Sequence, residues 1–233
     1  MFKNTLQYLS DLHIDRLPIG KFNKILPKSP DILLCGDIGN PKHKNYELFL
    51  EYLKYNFNRV FIVPGNHEYN TSSCFSQKQY NIHKPILDEL FYKYNIYNLD
   101  CEHYNLNNNT IIAGATLWSN PDYNNRRLRY NTYNNHINKH KKDLDWINNL
   151  INKTNKKIIM ATHFIPTMKL IEPRFYDKYT NKPSKWFYTD LEYLIKDPII
   201  FWIAGHSHSI IDIKINNITC TINVNCESKI LSY

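Results

Sequence analysis

The chain has 233 residues, 42% of them hydrophobic and 14% aromatic, with 29 Lys plus Arg against 21 Asp plus Glu and a formal net charge of +8. These are globular values, and the apolar runs are strand-sized pieces far short of the ~20 residues a membrane helix needs, so a bilayer-spanning chain is excluded and one α/β domain over residues 1–233 is expected. The positive charge favours anionic ligands in general, without selecting nucleic acid over a small phosphoester. Cys35, Cys74, Cys101, Cys220 and Cys226 are scattered, odd in number and free of Cys-x-x-Cys spacing, which points to free thiols in a reducing, cytoplasmic compartment.

The first apolar run, 5–9, has no secretory h-region and leads straight into Asp11-Leu12-His13, so it reads as a strand. A strand over 31–35 ends on Gly36-Asp37, and a helix over 46–55 follows, with Leu48, Phe49, Tyr52 and Leu53 at the spacing of a core-facing stripe. A strand over 60–63 runs into Gly65-Asn66-His67-Glu68 and precedes a helix over 82–94. The pattern then predicts a strand over 110–115, a helix over 136–151, a strand over 157–162 ending on Thr162-His163, and a helix over 189–195. A strand over 199–204 ends on Gly205-His206-Ser207-His208, and strands 210–215 and 219–224 form a hairpin around Asn216-Asn217. Early strand-helix-strand order and a late hairpin imply mixed sheets, and loops beyond the carboxyl ends of parallel strands converge on one rim.

The motifs at those strand ends are weak singly, since an Asp-x-His or a Gly-Asp can be an ordinary turn. Their joint occurrence decides the reading. Asp11, His13, Asp37, Asn66, His163, His206 and His208 are seven metal-ligand side chains, with His67 beside them. Imidazole and carboxylate donors suit Zn, Mn, Fe or Ni, and the lack of cysteine among them argues for a catalytic rather than a structural site. If the segment after Ala204 stays extended, alternation turns His206 and His208 to the same side. His136 and His140, four apart on the third helix, read as exposed helix positions because no acidic residue accompanies them.

The ordered set Asp-x-His, Gly-Asp, Gly-Asn-His-Glu, His and Gly-His-x-His resembles the calcineurin-like metallophosphoesterase superfamily from about Leu9 to about Ile210. The resemblance implies a four-layer α-β-β-α sandwich of two mixed sheets. It also implies two divalent transition-metal ions about 3.5–4 Å apart, at which a shared water attacks phosphorus in line. Carried over by position, Asp11, His13 and His208 hold one ion, Asn66, His163 and His206 the other, and Asp37 bridges them. Asn66 also meets the substrate. His67, next to Asn66 but outside the ligand set, is the candidate acid for the leaving group, and Glu68 either orients His67 or bonds nearby backbone. Gly114-Ala115-Thr116-Leu117-Trp118, Thr162-His163-Phe164-Ile165-Pro166 and Tyr188-Thr189-Asp190-Leu191-Glu192 are similar to segments of bacterial-type members rather than phosphoprotein phosphatases.

The expected activity is hydrolysis of phosphomonoesters or phosphodiesters, with a nucleotide-like molecule as the substrate guess. A serine/threonine phosphoprotein phosphatase is opposed by Gly36-Asp37-Ile38-Gly39-Asn40-Pro41, which lacks the phosphate-gripping arginine of Gly-Asp-x-Val-Asp-Arg-Gly. A nuclease has no support beyond net charge, and the filled ligand positions oppose an inactive scaffold. Arg126, Arg127 and Arg129 form the most basic stretch that could clamp a phosphoester, a solvated loop being the plainer reading.

Overall fold

In β1 (Thr5–Leu9), β2 (Asp31–Leu34) and β3 (Arg59–Ile62), side chains alternate between two apolar environments, as the two-residue period of a strand requires. Leu6, Tyr8, Leu33 and Phe61 face one core, while Leu9, Ile32, Leu34, Val60 and Ile62 face another. Burial on both faces is why these segments read as continuous hydrophobic runs. The computed structural model describes residues 4–72, 74–123, 130–176, 178, 180–224 and 228–233.

The first sheet has the order β11 (Lys229–Ser232), β1, β2, β3 and β4 (Ile96–Asn98), with β1 to β4 parallel and β11 antiparallel at the edge. The second has the order β5 (Glu102–Asn105), β6 (Thr110–Ala115), β7 (Lys157–Thr162), β8 (Ile199–Ala204), β10 (Ile218–Ile222) and β9 (Ile211–Ile215). Here β6, β7, β8 and β10 are parallel, and β5 and β9 close the two edges antiparallel. The inner faces meet through Leu6, Leu33 and Phe61 on one side and Ile112, Ile159 and Ile203 on the other. Helices α1 (Lys44–Asn56) and α2 (Gln77–Tyr94) cover the first sheet with Tyr46, Phe49, Leu53, Leu87 and Phe91. Helix α3 (Tyr130–Lys153) covers the second with Ile147 and Ile151. The result is the α-β-β-α sandwich of two mixed sheets that the sequence implies. Asn216 and Asn217 take φ of 50° and 65°, the left-handed pair that a two-residue hairpin turn between β9 and β10 demands.

Two expectations need correction. The helix over 189–195 is only a single 3-10 turn, Glu192–Leu194, because the backbone N–H groups of Thr189 and Leu191 bond to Ile165 O and Pro166 O, 3.0 and 2.8 Å away, and hold the segment extended. His136 and His140 are not exposed; they are 0% and 3% accessible. His136 Nδ1 accepts from Phe75 N at 3.0 Å while its Nε2 donates to Ser119 O at 2.8 Å, and His140 Nδ1 donates to Trp118 O. Loop backbone, not a carboxylate, satisfies both rings, so the lack of acidic neighbours carried no information about burial.

Burial pulls the His136 imidazole down to about 4 from an ordinary 6.5. The folded state therefore binds fewer protons than the unfolded state between these values. Its contribution is fully present above the unfolded value and is lost as pH falls through the folded one. Protonation of Nδ1 also breaks the bond from Phe75 N. In chelator-treated protein, urea unfolding should show about 3 kcal/mol less stability near pH 4 than near pH 7 from this group, and His136→Gln should flatten that slope. An unchanged slope in the variant would contradict the assignment.

Candidate metal centre

Strands β1, β2, β3, β7 and β8 deliver all the predicted ligand residues beyond their carboxyl ends. Five of those residues leave the sheet through a left-handed backbone: Asp11, His13, Asp37, His206 and His208 have φ of 57°, 45°, 53°, 64° and 54°. Such a conformation costs a non-glycine residue about 1–3 kcal/mol and persists only where surrounding contacts impose it. For Asp11, His13 and Asp37 those contacts are backbone bonds that zip the first two loops together: Asp11 N to Gly36 O at 3.0 Å, His13 N to Asp37 O at 3.0 Å and Ile14 N to Ile38 O at 2.8 Å. Gly36 itself has φ +83°, and a Cβ on Gly65 would run into the Asp37 carboxylate.

Glu68 fixes the third loop against the second. Fully buried, its carboxylate accepts from Gly65 N at 2.6 Å, Ile38 N at 2.8 Å and Asp37 N at 2.9 Å. Of the two roles expected for Glu68, bonding nearby backbone is the one its contacts show. Burial, with the Asp37 charge adding to it, pushes the Glu68 carboxyl up to about 7 against the pull of His163 and the donated N–H groups.

The ligand-type atoms gather in overlapping groups, each within 4.8 Å: Asp11, His13 and His208; His13, Asp37 and His67; Asp37, His163 and His206. His13 Nε2 and His208 Nε2 are 3.2 Å apart, and His208 Nε2 is 3.5 Å from Asp11 Oδ1. His163 Nε2 is 3.3 Å from Asp37 Oδ1 and 3.0 Å from Asn66 Oδ1. Ring and amide orientations are set from behind. His163 Nδ1 donates to Cys35 O at 2.8 Å, which leaves Nε2 free to coordinate, and Asn66 Nδ2 donates to Thr71 O at 3.0 Å, which turns Oδ1 inward. Trp118 packs on Phe164 at 5.1 Å, and Phe164 lies 4.1 Å from the His206 ring.

The electrostatics suit a cation. Burial would raise the Asp37 carboxyl, yet His163, His67 and His206 hold it far below the carboxylate range. Burial would lower His163, but Asp37 and Asp11 drive it up to about 9. Burial pushes Asp11 up, with Asp37 adding to the rise, and pushes His13 down to about 4 and His206 well below normal. His206 Nε2 is buried with no hydrogen-bond partner among the described residues, a cost of about 1–3 kcal/mol unless something electrophilic takes its lone pair. Nitrogen and carboxylate donors at these separations fit a divalent cation of the Zn, Mn, Fe or Ni type.

All seven expected ligands and His67 are thus brought together. Arg126, Arg127 and Arg129 lie outside the described residues. A further group, Asp100, Cys101 and Asp143, already surrounds the Lys139 ammonium, 3.2 Å from Asp100 and 2.8 Å from Asp143. It ties α3 to the strand ends. Sequence reasoning missed Phe175 and Phe187, which share a cavity of about 380 Å³ with Asp37, Asn66, His67 and His208. The aromatic run Trp186-Phe187-Tyr188 was the available signal.

A family model for calcineurin-like phosphoesterases matches residues 8–209. The chain belongs to that family. It is a hydrolase of phosphoester bonds. The phosphoesterase is 29% identical over 249 residues to uncharacterized protein L509 of Acanthamoeba polyphaga mimivirus, covering 87% of this chain and 84% of the relative. Its fold is similar to that of phosphopantetheinyl hydrolase from Mycobacterium tuberculosis, with a TM-score of 0.64 at 16% identity over 95% of this chain and 89% of the other. It is also similar to TT1561 of Thermus thermophilus, with a TM-score of 0.60 at 12% identity over 98% of each chain.

The Glu68 cradle makes a specific demand. In Glu68→Gln an amide NH₂ replaces one acceptor oxygen and faces backbone N–H groups, so chelator-treated protein should lose about 1–3 kcal/mol in urea unfolding. Wild-type stability in the variant would mean that the carboxylate does not hold these loops.

Proposed function

We propose that this phosphoesterase hydrolyses small phosphomonoesters or phosphodiesters, nucleotide-like molecules among them, at two divalent transition-metal ions. Asp11, His13 and His208 would hold one, Asn66, His163 and His206 the other, with Asp37 between them. The observation that supports this best is the overlap of the ligand groups through His13 and Asp37, beside the buried, unpartnered Nε2 of His206. Such ions, when bound, supply a polarised water and neutralise charge on the non-bridging phosphoryl oxygens. The chain's own residues do the rest. Glu68 and the zipped loops keep donors in place, and Asn66, its amide pinned to Thr71 O, presents its oxygen to the site.

His67 would protonate the departing oxygen. Its side chain is 34% exposed, lines the cavity, and stands with Nε2 3.8 Å from Asp37 Oδ2 while its backbone N–H donates to Asp37 Oδ1 at 2.9 Å. The residues after Asp37 offer no arginine, so metals and cavity walls carry recognition, and small esters are preferred to phosphoserine or phosphothreonine peptides. Arg126, Arg127 and Arg129 are the cationic candidates for a remote anionic part of the substrate. Cys35, Cys74, Cys101 and Cys220 are free thiols, which supports work in a reducing compartment, and no described helix is long and apolar enough to cross a membrane.

The test is leaving-group dependence. His67→Ala should lower kcat for alkyl phosphates by about 10²–10⁴ while metal content stays intact, and the loss should shrink for nitrophenyl phosphate, whose leaving group needs no proton. Equal losses on both substrates, or loss of metal, would assign His67 another role. A higher kcat/KM for phosphopeptides than for small esters would overturn the substrate class.

A further inference from the structure

Two aromatic side chains share the cavity with the histidines. Phe175 and Phe187 come from two separate stretches of the loop between β7 and β8, each tied to the ligand-bearing backbone by its own bonds. The Phe175 stretch is held by Ser207 and Ser209, which flank His208: Ser207 Oγ donates to Leu170 O at 3.2 Å, and Ser209 Oγ accepts from Glu172 N at 3.2 Å. Ile210 N closes the tie by donating to Glu172 Oε1 at 3.1 Å. The Phe187 stretch is held from the other side, where Ile165 N donates to Phe187 O at 3.3 Å and Thr189 N to Ile165 O at 3.0 Å, two residues beyond His163. Phe187 then packs on the His206 ring at 4.8 Å, and Phe175 stays 39% exposed with the Arg174 guanidinium over its ring at 4.8 Å.

A phosphoryl group alone has no use for two phenyl rings. Polar side chains and two apolar rings lining one cavity of about 380 Å³ suit a ligand with a charged part and a flat apolar part. From this we infer that Phe175 and Phe187 form a subsite for a planar aromatic ring, a nucleobase or an aryl group, on the organic part of the phosphoester. The inference rests on the phosphoesterase reading of the same cavity and deepens it. His67, the proposed proton donor, lines the same cavity. Stacking of a base on an aromatic side chain by comparable contacts strengthens binding by about 5- to 100-fold.

Two matched pairs of probes test it. Adenosine 5′-monophosphate and ribose 5-phosphate share the reacting group and the sugar and differ by the base. Phenylphosphonate and methylphosphonate are not hydrolysed and differ by the ring. Metal-loaded protein should show a KM about 5- to 100-fold lower for adenosine 5′-monophosphate than for ribose 5-phosphate, and calorimetry should show a similar preference for phenylphosphonate. Phe187→Leu, which keeps apolar bulk, and Phe175→Ala, at an exposed position, should each narrow both gaps. A ring preference confined to the phosphonates assigns the subsite to small aryl groups, and one confined to the nucleotide assigns it to a base. Equal values within both pairs, or variants that weaken ring-bearing and ring-free members alike, would overturn the subsite. Loss of hydrolysis on every ester, with the ring preference intact in calorimetry and in adenosine binding followed by ligand-observed NMR, would overturn the phosphoesterase reading and leave the subsite standing.

Discussion

Two carboxylates, Asp11 and Asp37, are buried at one rim, where burial and the Asp37 charge push the Asp11 carboxyl up, a placement a protein tolerates only if positive charge is brought to them. Without metal that charge is the imidazolium of His163, lifted to about 9 by the very carboxylates it neutralises. Coordination needs the neutral ring, so a cation entering the site must displace that proton, and metal affinity should strengthen as pH rises. Placing His206 nearby with an unpartnered, deeply depressed imidazole makes sense for a cation other than a proton.

The rest of the molecule holds these groups where they would repel one another in a looser structure. Two mixed sheets aim five strands at the rim, and five of the seven expected ligand residues leave them through strained left-handed turns. Glu68 and the backbone zipper from Asp11 to Ile38 offset that strain from within. From outside, His136 and His140 of α3 hold the Trp118-Ser119 backbone, Trp118 supports Phe164, and Phe164 supports His206. A helix that contributes no ligand thereby sets the orientation of one.

The candidate site was legible in the sequence because each expected ligand residue follows a strongly apolar strand, where a polar residue is conspicuous. The central strands were legible for the same reason, being buried on both faces. Edge strands other than Ile211–Ile215 were not: Glu102–Asn105 is mostly exposed, and Lys229–Ser232 owes its identity to pairing with Thr5–Leu9 across the length of the chain. His136 and His140 misled because they are polar, although they continue at helical spacing the buried stripe that runs on to Ile147 and Ile151. Phe175 and Phe187 stand on a loop without periodicity, and only the tertiary structure carries them to the ligands.

We propose that the rim holds two ions joined through Asp37. Elemental analysis of the reconstituted protein, with anomalous diffraction from the same preparation, measures this directly. About two ions per chain are expected, one beside Asp11, His13 and His208 and one beside Asn66, His163 and His206, with both depleted in Asp37→Asn. At most one ion per chain after full reconstitution, or an Asp37→Asn variant that keeps both, would contradict it.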